Sequence, residues 1–519
     1  MLRFETFQDG DSATDFSLNG AYLFGFEDIP LQADIVSFGK QLSCMKAAAG
    51  PAGLAVLQKI GSTGTILLPT TRLPESRTPY VLDVELLRSQ LAQLFRKREE
   101  WSIFDLDNPQ AQSINTELQQ AMQDFGGIFA QQLTDRAAAA SQARDLLNTV
   151  LLLSEKMTLL HADLLWEKRC SLGQDPPKFG VRVEPSIRPS MVRPLLDDVD
   201  TLYIPMSWRQ CEPKERVHAT SEIDEWINFA AREEKTVIAG PLIGFCPEDT
   251  PKWLDVWKGD IETLKRLSYA HIQRLVERYS EKVDWWIVTS GLELNPYQLP
   301  FEELIEIAQQ SCALVHRIDP GAKIMMNLPA VWGEYASRDG RTIPTRQIVD
   351  LIAQGAELKV DGIGVELMMG MPTDGHYVRD LSQIALIFDT LQASGKPIHV
   401  TSFAIPSSTE ADETDLWKGR MPIKPAGQWH QPFSDTLQAE WLASVVRIAR
   451  SRFGVESITW GRLADVPFGR IPHGGLVNGQ LQPKSAFHEF AEIANATAEL
   501  QLLPRPVPAE QPATLADSD

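Results

Sequence analysis

Trp285-Trp-Ile-Val-Thr289-Ser290 and Asp319-Pro-Gly-Ala-Lys323-Ile-Met-Met-Asn327 decide the fold. Each holds a short apolar run that ends on small polar residues, and helical texture fills the space between them. A run of that kind reads as a strand buried on both faces, which is the habit of parallel sheets. The same rhythm extends in both directions. Candidate strands fall at 180–183, 201–205, 236–239, 285–289, 323–327, 362–367, 397–402 and 457–461. They are spaced by roughly 30–50 residues, and seven helical stretches lie between them. Eight such strands fit a closed (β/α)8 barrel of α/β class better than an open sheet.

Upstream, Gly173-Gln-Asp-Pro-Pro-Lys178 reads as a linker, so the barrel domain is expected over 173–498. Residues 84–172 form a helical connector, with a first helix over 84–100 and one long segment over about 112–169. In that segment Leu146, Val150, Leu153, Met157, Leu160 and Leu164 make an apolar seam that must pack on another helix. Its partner is either another part of the chain or a second copy, which would make a homodimer. His161 lies on the seam as an interfacial residue. Residues 1–83 carry short alternating runs broken by Gly, Pro, Asp and Ser, and read as a small β domain, possibly a sandwich. Its aromatics, including Phe4, Tyr22, Phe24 and Phe38, supply buried area in a small sheet or a sugar-stacking face. The Pro- and acid-rich tail over 499–519 reads as disordered.

The net charge of −20 argues against nucleic acid, whose phosphates call for a basic face, and is compatible with a neutral polysaccharide. No run is long and apolar enough for a membrane span. Met1-Leu-Arg-Phe-Glu lacks the apolar core of a secretory signal, and the five scattered cysteines suit reduced thiols. A cytoplasmic setting is the expectation. No nucleotide loop, HExxH or GxSxG is present, and the nine histidines lack metal-ligand spacing. No metal or cofactor is expected. His376, His399, His430 and His473 are the histidines placed near the barrel mouth.

The ends of the strands, where a barrel keeps its chemistry, carry a resemblance. Ile204-Pro-Met-Ser-Trp208 with Glu212-Pro213 is similar to a Glu-Met-Lys-Trp…Glu-Pro segment. Val237-Ile-Ala-Gly240-Pro-Leu-Ile-Gly-Phe245-Cys246 with Pro251-Lys-Trp253-Leu254 is similar to Gly-His-Thr-Leu-Val-Trp-His…Pro-x-Trp-Leu. Asp319 to Asn327, Val360-Asp361-Gly-Ile-Gly364, Ile458-Thr-Trp460-Gly461 and Gln482-Pro483-Lys484-Ser-Ala486-Phe487 follow in order. Over roughly 315 residues this series resembles glycoside hydrolase family 10, the endo-1,4-β-xylanase family.

The resemblance implies a retaining glycosidase, which needs an acid/base glutamate and a nucleophile glutamate about 5–5.5 Å apart. This chain has Ser290 at the acid/base position and Ser402 at the nucleophile position. Thr289, Ser207, Pro241, Cys246, Glu366 and Met368 replace further sugar-gripping residues of the family. A serine hydroxyl does not ionise near neutral pH and replaces neither group. Three readings follow. The barrel binds a β-1,4-linked glycan without cutting it; or relocated carboxylates, Glu293 and Glu366 with Glu334 as a further candidate, restore hydrolysis; or the barrel is a scaffold whose connector supplies a partner surface. The resemblance implies a substrate-binding set of Trp208, Trp253, Asn327 and Trp460, with Trp429 in a loop nearby, because sugar rings lie on indole faces.

Overall fold

The computed structural model describes residues 1–7, 16–102, 107–355, 358–467 and 469–501. Eight parallel strands, Lys178–Arg182, Thr201–Pro205, Thr236–Gly240, Trp285–Ser290, Lys323–Leu328, Gly362–Met368, Ile398–Ala404 and Val455–Trp460, form the barrel. It closes where the eighth strand pairs with the first, Ser457 against Lys178 and Thr459 against Gly180. Successive side chains on a strand alternate between the two faces. Leu202, Ile204, Ile324 and Ile363 therefore face the surrounding helices in the main core. Tyr203, Ile238, Trp285, Ile287 and Met325 form a second cluster inside the barrel.

Some of the barrel helices start at a side-chain cap. Asp380 accepts from the Ser382 and Gln383 amides at the head of Leu381–Gln392, and Ser434 accepts from the Leu437 amide at the head of Asp435–Ser451. A short strand, Ile243–Gly244, leaves the third strand and pairs with the end of the fourth.

Three helices precede the barrel: α1 (Leu82–Glu100), α2 (Pro109–Gln131) and α3 (Arg136–Ser171). The single segment expected over 112–169 is thus two helices. The break has a local cause: the Asp135 carboxylate accepts from the Ala138 amide, which starts α3. The seam of α3 is used within the chain. Val150, Leu153, Met157 and Leu160 are buried with α1 and the amino-terminal strands, and Leu146 and Leu164 pack at the edge of that cluster. His161 stacks on Trp101 at 3.9 Å.

The amino-terminal strands form two sheets. One runs Ala33–Phe38, Gln41–Lys46, Leu2–Glu5, Tyr80–Val81. The other runs Gln428–Trp429, Gly64–Pro69, Gly53–Ile60, Tyr22–Phe24, Pro30–Leu31, and its first strand comes from the loop after the seventh barrel strand. Phe4 and Phe24 are buried, whereas Phe38 is 85% exposed. Of the tail expected over 499–519, residues 499–501 belong to the last helix, Ser485–Gln501, and residues 502–519 lie outside the described residues. No helix among the described residues is long and apolar enough to cross a membrane.

Candidate active site

The carboxyl ends of the strands bring Ser290, Asn327, Glu366 and Ser402 together. Strand register sets this: Ser290 pairs with Asn327, and Glu366 with Ser402. All four are nearly inaccessible. Asn327 is the hub. Its Nδ2 donates to Ser290 Oγ and to Glu366 Oε1, both at 2.9 Å, and its Oδ1 accepts from Thr401 Oγ1 at 2.6 Å. Ser402 Oγ has no hydrogen-bond partner among the described residues. A Cβ at Gly461 would lie 2.3 Å from that oxygen, so the eighth strand approaches Ser402 only because Gly461 lacks a side chain.

The second oxygen of Glu366 accepts from Arg470 Nη1 at 2.7 Å. The same guanidinium places its Nε 2.9 Å from Glu248, in the loop after the third strand. Arg470, from the loop after the eighth strand, therefore ties two separated walls of the mouth. Its carboxylate partners hold its pKa well above the ordinary value, against the effect of burial. Beside it, burial pushes the Asp249 carboxyl up to about 7, and Glu248 adds to the rise. Burial likewise raises Glu184 to about 7 while Arg462 opposes the rise. His376 is pulled down to about 4 by burial and by Arg470, so it is neutral at pH 7.

Glu293 and Glu334 are fully buried in the structure. Burial raises the Glu293 carboxyl to about 8, opposed by nearby backbone amides of Glu293 and Ala330 and reinforced by the charge of Glu366. Neither Glu293 oxygen has a well-formed hydrogen bond among the described residues. Glu334 is paired with the buried Arg379. Burial holds the Cys246 thiol well above its ordinary value, which disfavours the reactive thiolate.

The tryptophans are mostly covered. Trp208 stacks on His271 at 4.7 Å and donates to Glu212. Trp253 packs edge-on against Trp208 and donates to the Glu212 carbonyl. Trp460 is 0% exposed, lies against Phe403 and donates to the Gly474 carbonyl. Trp429 stands in the amino-terminal sheet and donates to Glu155 of α3. A ring with both faces packed cannot receive a sugar without rearrangement, and Trp253 is the one of the four that is only half-buried.

The four histidines separate. His376 is at the mouth, and His473 lies in the eighth-strand loop, its carbonyl accepting from Ser407. His430 pairs with Glu155 beside the amino-terminal sheet. His399 corrects its expected place: it belongs to the first level of the seventh strand, paired with Ser457, at the opposite end of the barrel. Among the described residues no group of His, Cys, Asp and Glu could hold a metal ion. Sequence reasoning missed Arg470 and Glu248. They lie 104 and 118 residues from Glu366 along the chain, with no local pattern to join them.

The profile of Glycosyl hydrolase family 10 matches residues 201–492. Among solved structures, the chain is similar to a GH10 endoxylanase from a sugarcane soil metagenome, at 16% identity and TM-score 0.45 over 61% of this chain and 97% of that one. It is similar to native xylanase 10B of Thermotoga maritima, at 14% identity and TM-score 0.46 over 64% of this chain and 98% of that one. A GH10 xylanase of Thermobacillus composti gives 21% identity and TM-score 0.43 over 63% and 99%. No curated protein matches the chain.

Proposed function

The chain belongs to glycosyl hydrolase family 10, and on that premise we propose that its barrel mouth holds a β-1,4-linked glycan without hydrolysing it. The observation that carries this reading is the pair Ser290 and Ser402 at the ends of the fourth and seventh strands, where the double-displacement mechanism requires two carboxyl groups. Asn327 and Arg470 each donate to one oxygen of Glu366, which supports a structural role for this carboxylate in the mouth. The grip on a sugar would be polar. Arg182, Glu184, Glu248 and Arg470 are among the partly exposed charged groups there, whereas three of the four indoles are buried. Unpaired Cys44, Cys170, Cys211, Cys246 and Cys312 support a reducing, intracellular setting.

A long incubation with xylan and aryl glycosides, beside calorimetry with xylo-oligosaccharides, tests the reading. Heat of binding without released sugar is expected. Turnover would overturn it. So would the absence of binding to any glycan, which would leave the scaffold reading.

A second reading has one observation in its favour. Glu293, raised to about 8, is protonated at neutral pH and lies close enough to feel the charge of Glu366. Environments that separate two carboxyls in this way mark acid and base pairs. Turnover that vanishes in both Glu293→Gln and Glu366→Gln would establish this pair; turnover that survives either change rules it out.

A further inference from the structure

At the amino-terminal end of the barrel, the first inward residues of the strands make a ring unlike the usual filling. Barrel interiors are packed with layers of bulky branched apolar side chains. Here the level is set by Lys178, Thr201, Thr236, Lys323, His399 and Ser457, with Trp285 among them. They surround a cavity of about 650 Å³, bounded on the outside by linker residues 173–176.

Two polar atoms in its wall are buried and lack a hydrogen-bond partner among the described residues, Thr201 Oγ1 and His399 Nε2, the latter 3.9 Å from a carboxylate oxygen of Glu456 at the rim. Their residues are 1% and 2% exposed. The other nitrogen of His399 is held by Ser457 Oγ at 2.8 Å, which fixes the ring's orientation. Lys178 Nζ rests on Thr236 Oγ1 at 2.9 Å, and Lys323 Nζ lies 4.9 Å from the Trp285 ring centre. Neither lysine has a carboxylate at ion-pair distance among the described residues. The acids at the rim, Asp175 and Glu456, face the charge of Arg169, whose N–H groups are spent on backbone carbonyls.

Unsatisfied buried polar groups call for an explanation, and a missing ligand is one. Two ammonium groups in a concave wall attract an anion and repel a cation. They offer only donors, which an oxyanion's lone pairs accept. We propose that this end of the barrel is a second ligand site, for a small molecule bearing a phosphate or carboxylate group. The group would sit between Lys178 and Lys323 and take hydrogen bonds from Thr201 Oγ1 and His399 Nε2. The site is separate from the glycan cleft at the opposite end and does not depend on it.

Calorimetric titration of the full chain with inorganic phosphate, and separately with citrate, tests the proposal. One saturable event is expected with at least one probe, and the more tightly bound probe identifies the group. A Lys178→Gln, Lys323→Gln double variant should lose at least tenfold in affinity while Arg470→Gln, at the other end, keeps it. A thermal midpoint for the double variant near that of the parent would show that it is folded. The proposal falls if neither probe gives saturable heat, or if affinity follows Arg470 rather than the two lysines.

Discussion

Arg470 serves two carboxylates that the chain brings from distant positions, and the mouth is organised around that contact. Removing one member of a buried pair leaves the other charge under-compensated. Glu366→Gln should therefore destabilise the fold by about 2 kcal/mol, with Glu248 limiting the loss. Denaturant unfolding checks the value. Glu293 gives a prediction of opposite kind. Its folded pKa, about 8, lies above the ordinary carboxyl value near 4.5, so the folded state binds the extra proton. Its contribution is most favourable below the ordinary value and is lost progressively as pH rises to about 8. Asp249 and Glu184, both near 7, act in the same direction. Buried His161, His271, His376 and His399, all held below the ordinary imidazole value, act the other way below about pH 6.5. The melting midpoint of the parent should therefore fall between pH 7 and 8, and Glu293→Gln should flatten that slope. An unchanged slope would show that Glu293 is ionised in the fold. Ser290 and Ser402 were legible in the sequence through the order and spacing of the strand-end segments that resemble the family, Ser290 ending Trp285–Ser290 and Ser402 lying two residues before the end of Ile398–Ala404. Arg470, Glu248 and Arg379 were not, because an ion pair across a barrel leaves no trace in the spacing of either partner.

At the level of elements, the apolar runs located all eight barrel strands to within a few residues, since a strand buried on both faces has little choice of composition. Where the signal was weaker, the reading failed in recognisable ways. The α2–α3 break rests on one capping aspartate inside a long helical texture. The strand Gln428–Trp429 has only two residues, and its partners lie more than 360 positions away in Gly64–Pro69. Its attachment depends on Gly64, which has φ +103, and whose absent Cβ would fall 2.3 Å from the Gln428 carbonyl oxygen. Gly64→Ala should cost about 2 kcal/mol or more and loosen the strand. Faster proteolysis around residue 428, with an unaltered barrel signal, would locate the damage. Equal stability of the variant would show that the strand is dispensable.

Across the whole molecule, the amino-terminal region and the barrel have separate apolar cores but many shared contacts. Lys97 pairs with Asp389, Arg447 with Asp163, and the Leu67 amide donates to the Val378 carbonyl. Contacts of this number across an interface favour a single calorimetric transition, and two resolved transitions would show two independent units. α3 joins both parts. Its 36 residues extend about 54 Å, with Ala139 to Leu160 in the first core and Ala162 against the second. Beyond that point Trp166 lies under Arg450 of the barrel. Along one continuous helix, amide hydrogen exchange then becomes a ruler for the order in which the protein opens. Protons near residue 143 time the release of the strands, those near 163 time the release of the barrel, and a step in their rates would reveal which part lets go first.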